Sequence, residues 1–99
     1  MDKSKIRMYV KEIGCCSVLE VSVGTTGYCG GDSGHGGRTY IEITEICNTD
    51  IECYWNNTHK KLTINLGGDS ELDTIIEVLD FILRKLKEAV SSDKHDRLV

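Results

Sequence analysis

Hydrophobic and polar positions alternate along the first two thirds of the chain and then change period, so two kinds of regular element are written in it in order. Segment 5–13 places Ile6, Met8 and Val10 on one side and Arg7, Tyr9 and Lys11 on the other, the pattern of a half-buried strand ending at Gly14. Segment 17–23 repeats it, with Leu19, Val21 and Val23 against Val18, Glu20 and Ser22. Between Arg38 and Ile46, Ile41 and Ile43 oppose Tyr40, Glu42 and Thr44. After the turn-forming Asn48-Thr49-Asp50 the pattern resumes as Ile51, Cys53 and Trp55 against Glu52 and Tyr54. A polar turn over 56–60 leads to Leu62, Ile64 and Leu66, alternating with Lys61, Thr63 and Asn65. Links this short predict one antiparallel meander of four or five strands over about residues 5–66.

From Asp69 onward, Leu72, Ile75, Ile76, Leu79, Ile82, Leu83, Leu86 and Val90 recur at three- and four-residue spacing, which predicts one long amphipathic helix over about 69–91. Asp69 or Ser70 is the expected cap, Ser70 with Asp73 approximates a capping box, and Arg84, Lys85 and Lys87 complement the far end of the helix dipole. An apolar sheet face and an apolar helix stripe can bury each other, so the expected fold is a two-layer α+β domain covering residues 1–99. Leu79 and Ile82 belong to its predicted core, and 93–99 to a polar tail.

Composition narrows the function more than the fold. Ninety-nine residues with 39% hydrophobic and 28% charged positions make one globular domain, too small for a barrel enzyme. Twelve Lys+Arg against 16 Asp+Glu give a net charge of -4, which removes the electrostatic footprint of a duplex nucleic-acid binder. No apolar run reaches the roughly 20 residues of a membrane span, and Met1-Asp2-Lys3-Ser4-Lys5 leads into a strand pattern. A cytoplasmic protein is expected. Cys15, Cys16, Cys29, Cys47 and Cys53 are odd in number with two adjacent, which favours reduced thiols over a disulfide framework. With His35 and His59 they lack the paired spacing of a zinc site, so neither metal nor cofactor is expected.

The segment Gly24–Gly37 departs from this regularity, because it holds seven of the ten glycines. A loop this long is either functional or disordered as a rule. Glycine-rich backbone can turn several N–H groups inward on an anion, and Arg38 supplies a fork-shaped cation at its end. The candidate ligand-binding residues are therefore Tyr28, Gly30, Gly31, Asp32, Ser33, His35, Gly36, Gly37, Arg38 and Tyr40. In this set His35 would donate, Asp32 accept, and the tyrosines pack on a base or sugar. The competing readings are a long hairpin loop whose glycines only permit turns and a loop that contacts another protein.

Established motifs fail here. No lysine follows the glycines as a P-loop needs, and a strand rather than a helix follows Gly37. Cys29-Gly30-Gly31-Asp32-Ser33-Gly34 is similar to the nucleophile segment of chymotrypsin-like proteases, yet the chain offers neither their two barrels nor an upstream His then Asp. No catalytic residue and no enzyme activity are expected. Gly-Gly-Asp-Ser occurs again at 67–70, where it opens the helix.

The run Val21-Ser22-Val23-Gly24-Thr25-Thr26-Gly27, with Gly30-Gly31-Asp32-Ser33-Gly34-His35-Gly36-Gly37-Arg38-Thr39-Tyr40 and the Gly67-Gly68-Asp69 helix start, resembles small uncharacterised proteins of Firmicutes phages and mobile elements. By size and context the resemblance implies a counter-defence factor in the host cytoplasm, such as one that sequesters a nucleotide immune signal. The leading expectation is noncatalytic binding of a small phosphorylated or nucleotide-like ligand. The alternative is a protein–protein inhibitor of a host defence effector, similar in role to an anti-CRISPR protein. Outward-facing Val18, Tyr40 and Tyr54 add the expectation of a homodimer or a higher symmetric assembly.

Overall fold

A computed structural model of the chain describes residues 6–31 and 36–98, the stretch 91–98 by its backbone course alone. Strands β1 (Tyr9–Ile13), β2 (Val18–Thr25), β3 (Thr39–Cys47), β4 (Ile51–Asn56) and β5 (Lys61–Leu66) precede one helix, α1 (Asp69–Leu98). The fold is α+β, with every strand pairing antiparallel, as the alternation and the short links imply.

The predicted single meander is broken between β3 and β4. One sheet has the order β1-β2-β3, and β4-β5 forms a separate two-stranded sheet. The break has a local cause in the link. Asn48 adopts a left-handed φ of 51°. The Thr49 hydroxyl lies 3.2 Å from the Val18 carbonyl, and the Ser17 hydroxyl donates to the Asn48 carbonyl at 3.2 Å. These bonds carry the chain across the end of the sheet instead of back along β3.

Strand β2 is central and α1 lies across it and β1, which decides the core. Leu19, Val21, Val23 and Val78 are fully enclosed, joined by Ile13, Phe81 and Ile82, with Ile43, Ile51, Ile75 and Leu86 packed around them. Ile82 is thus in the core as predicted, whereas Leu79 is 56% exposed, because the apolar stripe is wider than the surface that β1 and β2 offer it. The helix also runs through Ser91-Ser92 and the expected tail to Leu98, a stretch without glycine or proline to end it.

Two further expectations are corrected by side-chain direction. Tyr9, Lys11 and Ile13 stand opposite Val23, Val21 and Leu19, so the polar side of β1 faces the helix and Val10 points outward. An edge strand permits this, since long basic side chains lay their stems along the helix rim and keep their charged ends in water. At the helix start, Gly68 precedes the first turn and Glu71, rather than Asp69 or Ser70, turns back. Its carboxylate accepts the Asp50 N–H at 3.1 Å, which pins the root of the β4–β5 hairpin to α1. That bond, with its own N–H and the Ser17 hydroxyl, holds the Glu71 carboxyl below the usual carboxylate range.

Candidate functional site

The glycine-rich segment begins as a continuation of the β2–β3 ladder. Thr26 N–H donates to the Arg38 carbonyl at 3.0 Å, Arg38 N–H donates to Thr26 Oγ1 at 2.9 Å, and the hydroxyls of Thr25 and Thr39 meet at 2.8 Å. Glycine is required at 36 and 37 by close approach. A Cβ on Gly36 would come within 2.8 Å of the Gly31 oxygen, and one on Gly37 would strike the Gly27 oxygen. The two arms of the loop therefore lie backbone against backbone, which gives these glycines a structural task that the composition did not disclose.

The expected ligand residues are distributed as follows. Arg38 Nη1 donates to the Gly36 and Gly37 carbonyls at 3.4 and 3.1 Å, so one guanidinium nitrogen stiffens its own loop. Tyr28 is 56% exposed on the loop's outer arm, near Gly30, which has open space around it, while Gly31 lies against Gly36. Tyr40 pairs with Gly24 on the face of the sheet that α1 does not cover. Asp32, Ser33 and His35 lie outside the described residues.

On the helix-covered face, at the root of the same loop, the structure brings together groups that are far apart in sequence. Arg7 precedes β1 and Tyr9 opens it, Thr25 ends β2, and Lys85 with Leu86 and Ala89 comes from α1; they line a pocket of about 110 Å³. The Arg7 guanidinium lies 5.0 Å and the Lys85 ammonium 4.9 Å from the centre of the Tyr9 ring. Two cations beside one ring, against the one carboxylate of Glu88, leave a net positive charge that attracts an anion. Lys85 also sits 5.8 Å from the Phe81 ring and 3.4 Å from Glu88, which restricts where its ammonium can go. Alternation alone puts Arg7 and Tyr9 on the polar side of their strand, away from any pocket. The basic and aromatic side of β1 was nevertheless a visible signal.

A larger cleft, about 490 Å³, opens between the β1–β2 turn and the first half of α1, with Cys15, Cys16, Ser70, Asp73 and Glu77 on its walls. Its two carboxylates oppose an anionic ligand, so size and sign disagree there. Sign decides, because unpaired like charges near a phosphate repel it. No group of three His, Cys, Asp or Glu among the described residues could hold a metal ion. All five cysteines are free and exposed, so Cys53 is not the core residue its strand position suggests. No helix among the described residues is long and apolar enough to cross a membrane.

Against known protein families, characterised proteins and solved structures, the chain has no match.

Proposed function

We propose that the protein is a noncatalytic binding module for a small phosphorylated, nucleotide-like ligand, held where the glycine-rich loop leaves the sheet. The carrying observation is the pair of cations, Arg7 and Lys85, gathered over Tyr9 in a pocket that Thr25 also lines. A pocket of this size takes a phosphate group and leaves the remainder of the ligand outside, toward the loop. Arg7 supplies a planar fork for two phosphate oxygens and Lys85 a point charge. Tyr9 fixes both before the ligand arrives, so little ordering is required on binding. Tyr28 and the loop backbone then contact the base or sugar. Sequestration of a phosphorylated signal is the biological form of this reading, and no group-transfer step belongs to it.

The test is a thermal-shift screen with inorganic phosphate, nucleotides and cyclic nucleotides, because a ligand of the native state raises the melting temperature by mass action. At least one nucleotide should stabilise the parent well beyond phosphate alone. Arg7→Ala and Lys85→Ala should each weaken it roughly ten- to a hundredfold, as expected for a lost charge-assisted hydrogen bond. Arg38→Ala, measured alongside, separates the pocket from the loop: a loss confined to Arg38→Ala moves the site to the loop arm. A flat screen, with one host protein retained by the immobilised chain, replaces the proposal by the inhibitor reading.

A further inference from the structure

Helix α1 carries more apolar surface than its own sheet uses. Beside the core-facing residues, Leu72, Ile76, Leu79 and Leu83 form a second stripe at spacings of four, three and four, each 51–56% exposed. At about 100° per residue the two stripes together span on the order of 200° of the helix, twice the arc a surface helix needs. At about 100° per residue, Phe81 and Lys85, which lean over β1, lie roughly 150° around the helix from the centre of the second stripe, and Ile76 of that stripe also borders the cleft beside Cys15 and Cys16.

The β4–β5 hairpin has the complementary defect. Register pairs Cys53 with Ile64 and Trp55 with Leu62, which puts the apolar residues of both strands on one face, and Trp55 and Leu62 are 59% and 61% exposed. A two-stranded hairpin is marginal in water unless its apolar face packs on something. The chain's own core serves only the root, where Ile51 packs at its edge and the Asp50–Glu71 bond and the Gly67 N–H to Asp50 carbonyl bond of 3.0 Å fasten the strands beside the helix start; Trp55 and Leu62, farther out, stay exposed.

We propose that a second copy of this chain covers both surfaces, each hairpin laying its Trp55 face on the partner's Leu72-to-Leu83 stripe across a two-fold axis. Two arguments select this occupant. Area is the first: each stripe and each hairpin face exposes on the order of 400 Å², so two reciprocal contacts bury about 1,600 Å², the standard size of a specific interface. Charge is the second. The hairpin tip carries Lys60 and Lys61, whereas Asp69 and Asp73 flank the first half of the stripe. Faces that fit each other on one chain close naturally in a two-fold pair.

Sedimentation and light scattering of the full chain, read together with the emission of Trp55, test this directly, since Trp55 is the one tryptophan. The parent should run as a dimer at micromolar concentration, with blue-shifted emission that moves to the red on dilution at the same midpoint as the mass. Leu79→Glu and Trp55→Thr alter exposed positions and should give folded monomers by circular dichroism. Lys61→Asp should weaken association about tenfold, and Asp73→Lys added to it should restore most of the loss. A parent that is monomeric at tens of micromolar overturns the proposal. So does a dimer that survives Leu79→Glu, or one whose Trp55 emission stays that of a solvated indole.

Discussion

The β1–β2–β3 sheet and the β4–β5 hairpin are built from the same kind of sequence and end in opposite situations. Both alternate apolar and polar residues, yet Leu19, Val21 and Val23 are sealed under α1 while Trp55, Leu62 and Ile64 face outward. The difference lies in what is stacked on each, since the helix leaves the chain beside the hairpin root and crosses the other sheet. Alternation makes a strand amphipathic; only a second layer makes its apolar side a core.

The comparison is broken most directly by truncating equivalent residues on the two sheets. Leu19→Ala should cost about 2–5 kcal/mol in urea melts, as a fully enclosed leucine does, and Ile82→Ala should approach it from the helix side. Equal melts for Leu19→Ala and Leu62→Ala at concentrations too low for association would erase the distinction between the regions. Next in size is the joint between them. Gly68→Ala forces a side chain into a φ of 123° and against the Glu71 carboxylate, and should cost about 1–3 kcal/mol while leaving the helix signal nearly intact.

A smaller effect, visible only in acid, belongs to Glu71. Its carboxyl is held low by the Asp50 N–H, its own N–H and the Ser17 hydroxyl. A group lowered in the folded state lends stability that is complete above the ordinary carboxylate range and disappears as pH falls through the lowered value. Glu71→Gln should therefore flatten the acid side of the stability profile and leave the slope above pH 7 unchanged. Least of all, Leu62→Ala and Leu79→Ala should each fall within about 0.5 kcal/mol in dilute protein, the range of ordinary surface substitutions. A growing penalty at higher concentration would show that association, rather than the lone chain, uses those residues.

Much of the fold is legible residue by residue because its signals are local. Each strand announces itself by alternation over five to nine positions, and the helix by three- and four-residue spacing from Leu72 to Val90. The errors share a cause. Arg7 and Tyr9 read as a solvent face, Leu79 reads as core, and the β3–β4 link reads as one more hairpin turn, since periodicity gives the faces of an element without saying which face is covered. For the candidate site, Gly36, Gly37 and Arg38 drew notice through composition, but their backbone contacts with Gly27, Thr26 and Gly31 could not be seen along the chain. The convergence of Arg7 and Lys85 on the Tyr9 ring is equally invisible, since the two cations are 78 positions apart.

By itself, then, the sequence determined the five strands, their antiparallel sense, the helix and the α+β class, all consequences of side-chain period and short links acting within a few residues. Tertiary structure alone decided that the sheet divides at Asn48, that the helix covers β1 and β2 and leaves the hairpin exposed beyond Ile51, and that two distant cations share the Tyr9 ring. Those outcomes depend on packing and hydrogen bonds between segments far apart in the chain, such as Ser17 with Asn48 and Asp50 with Glu71, and no local pattern encodes the partner of such a bond.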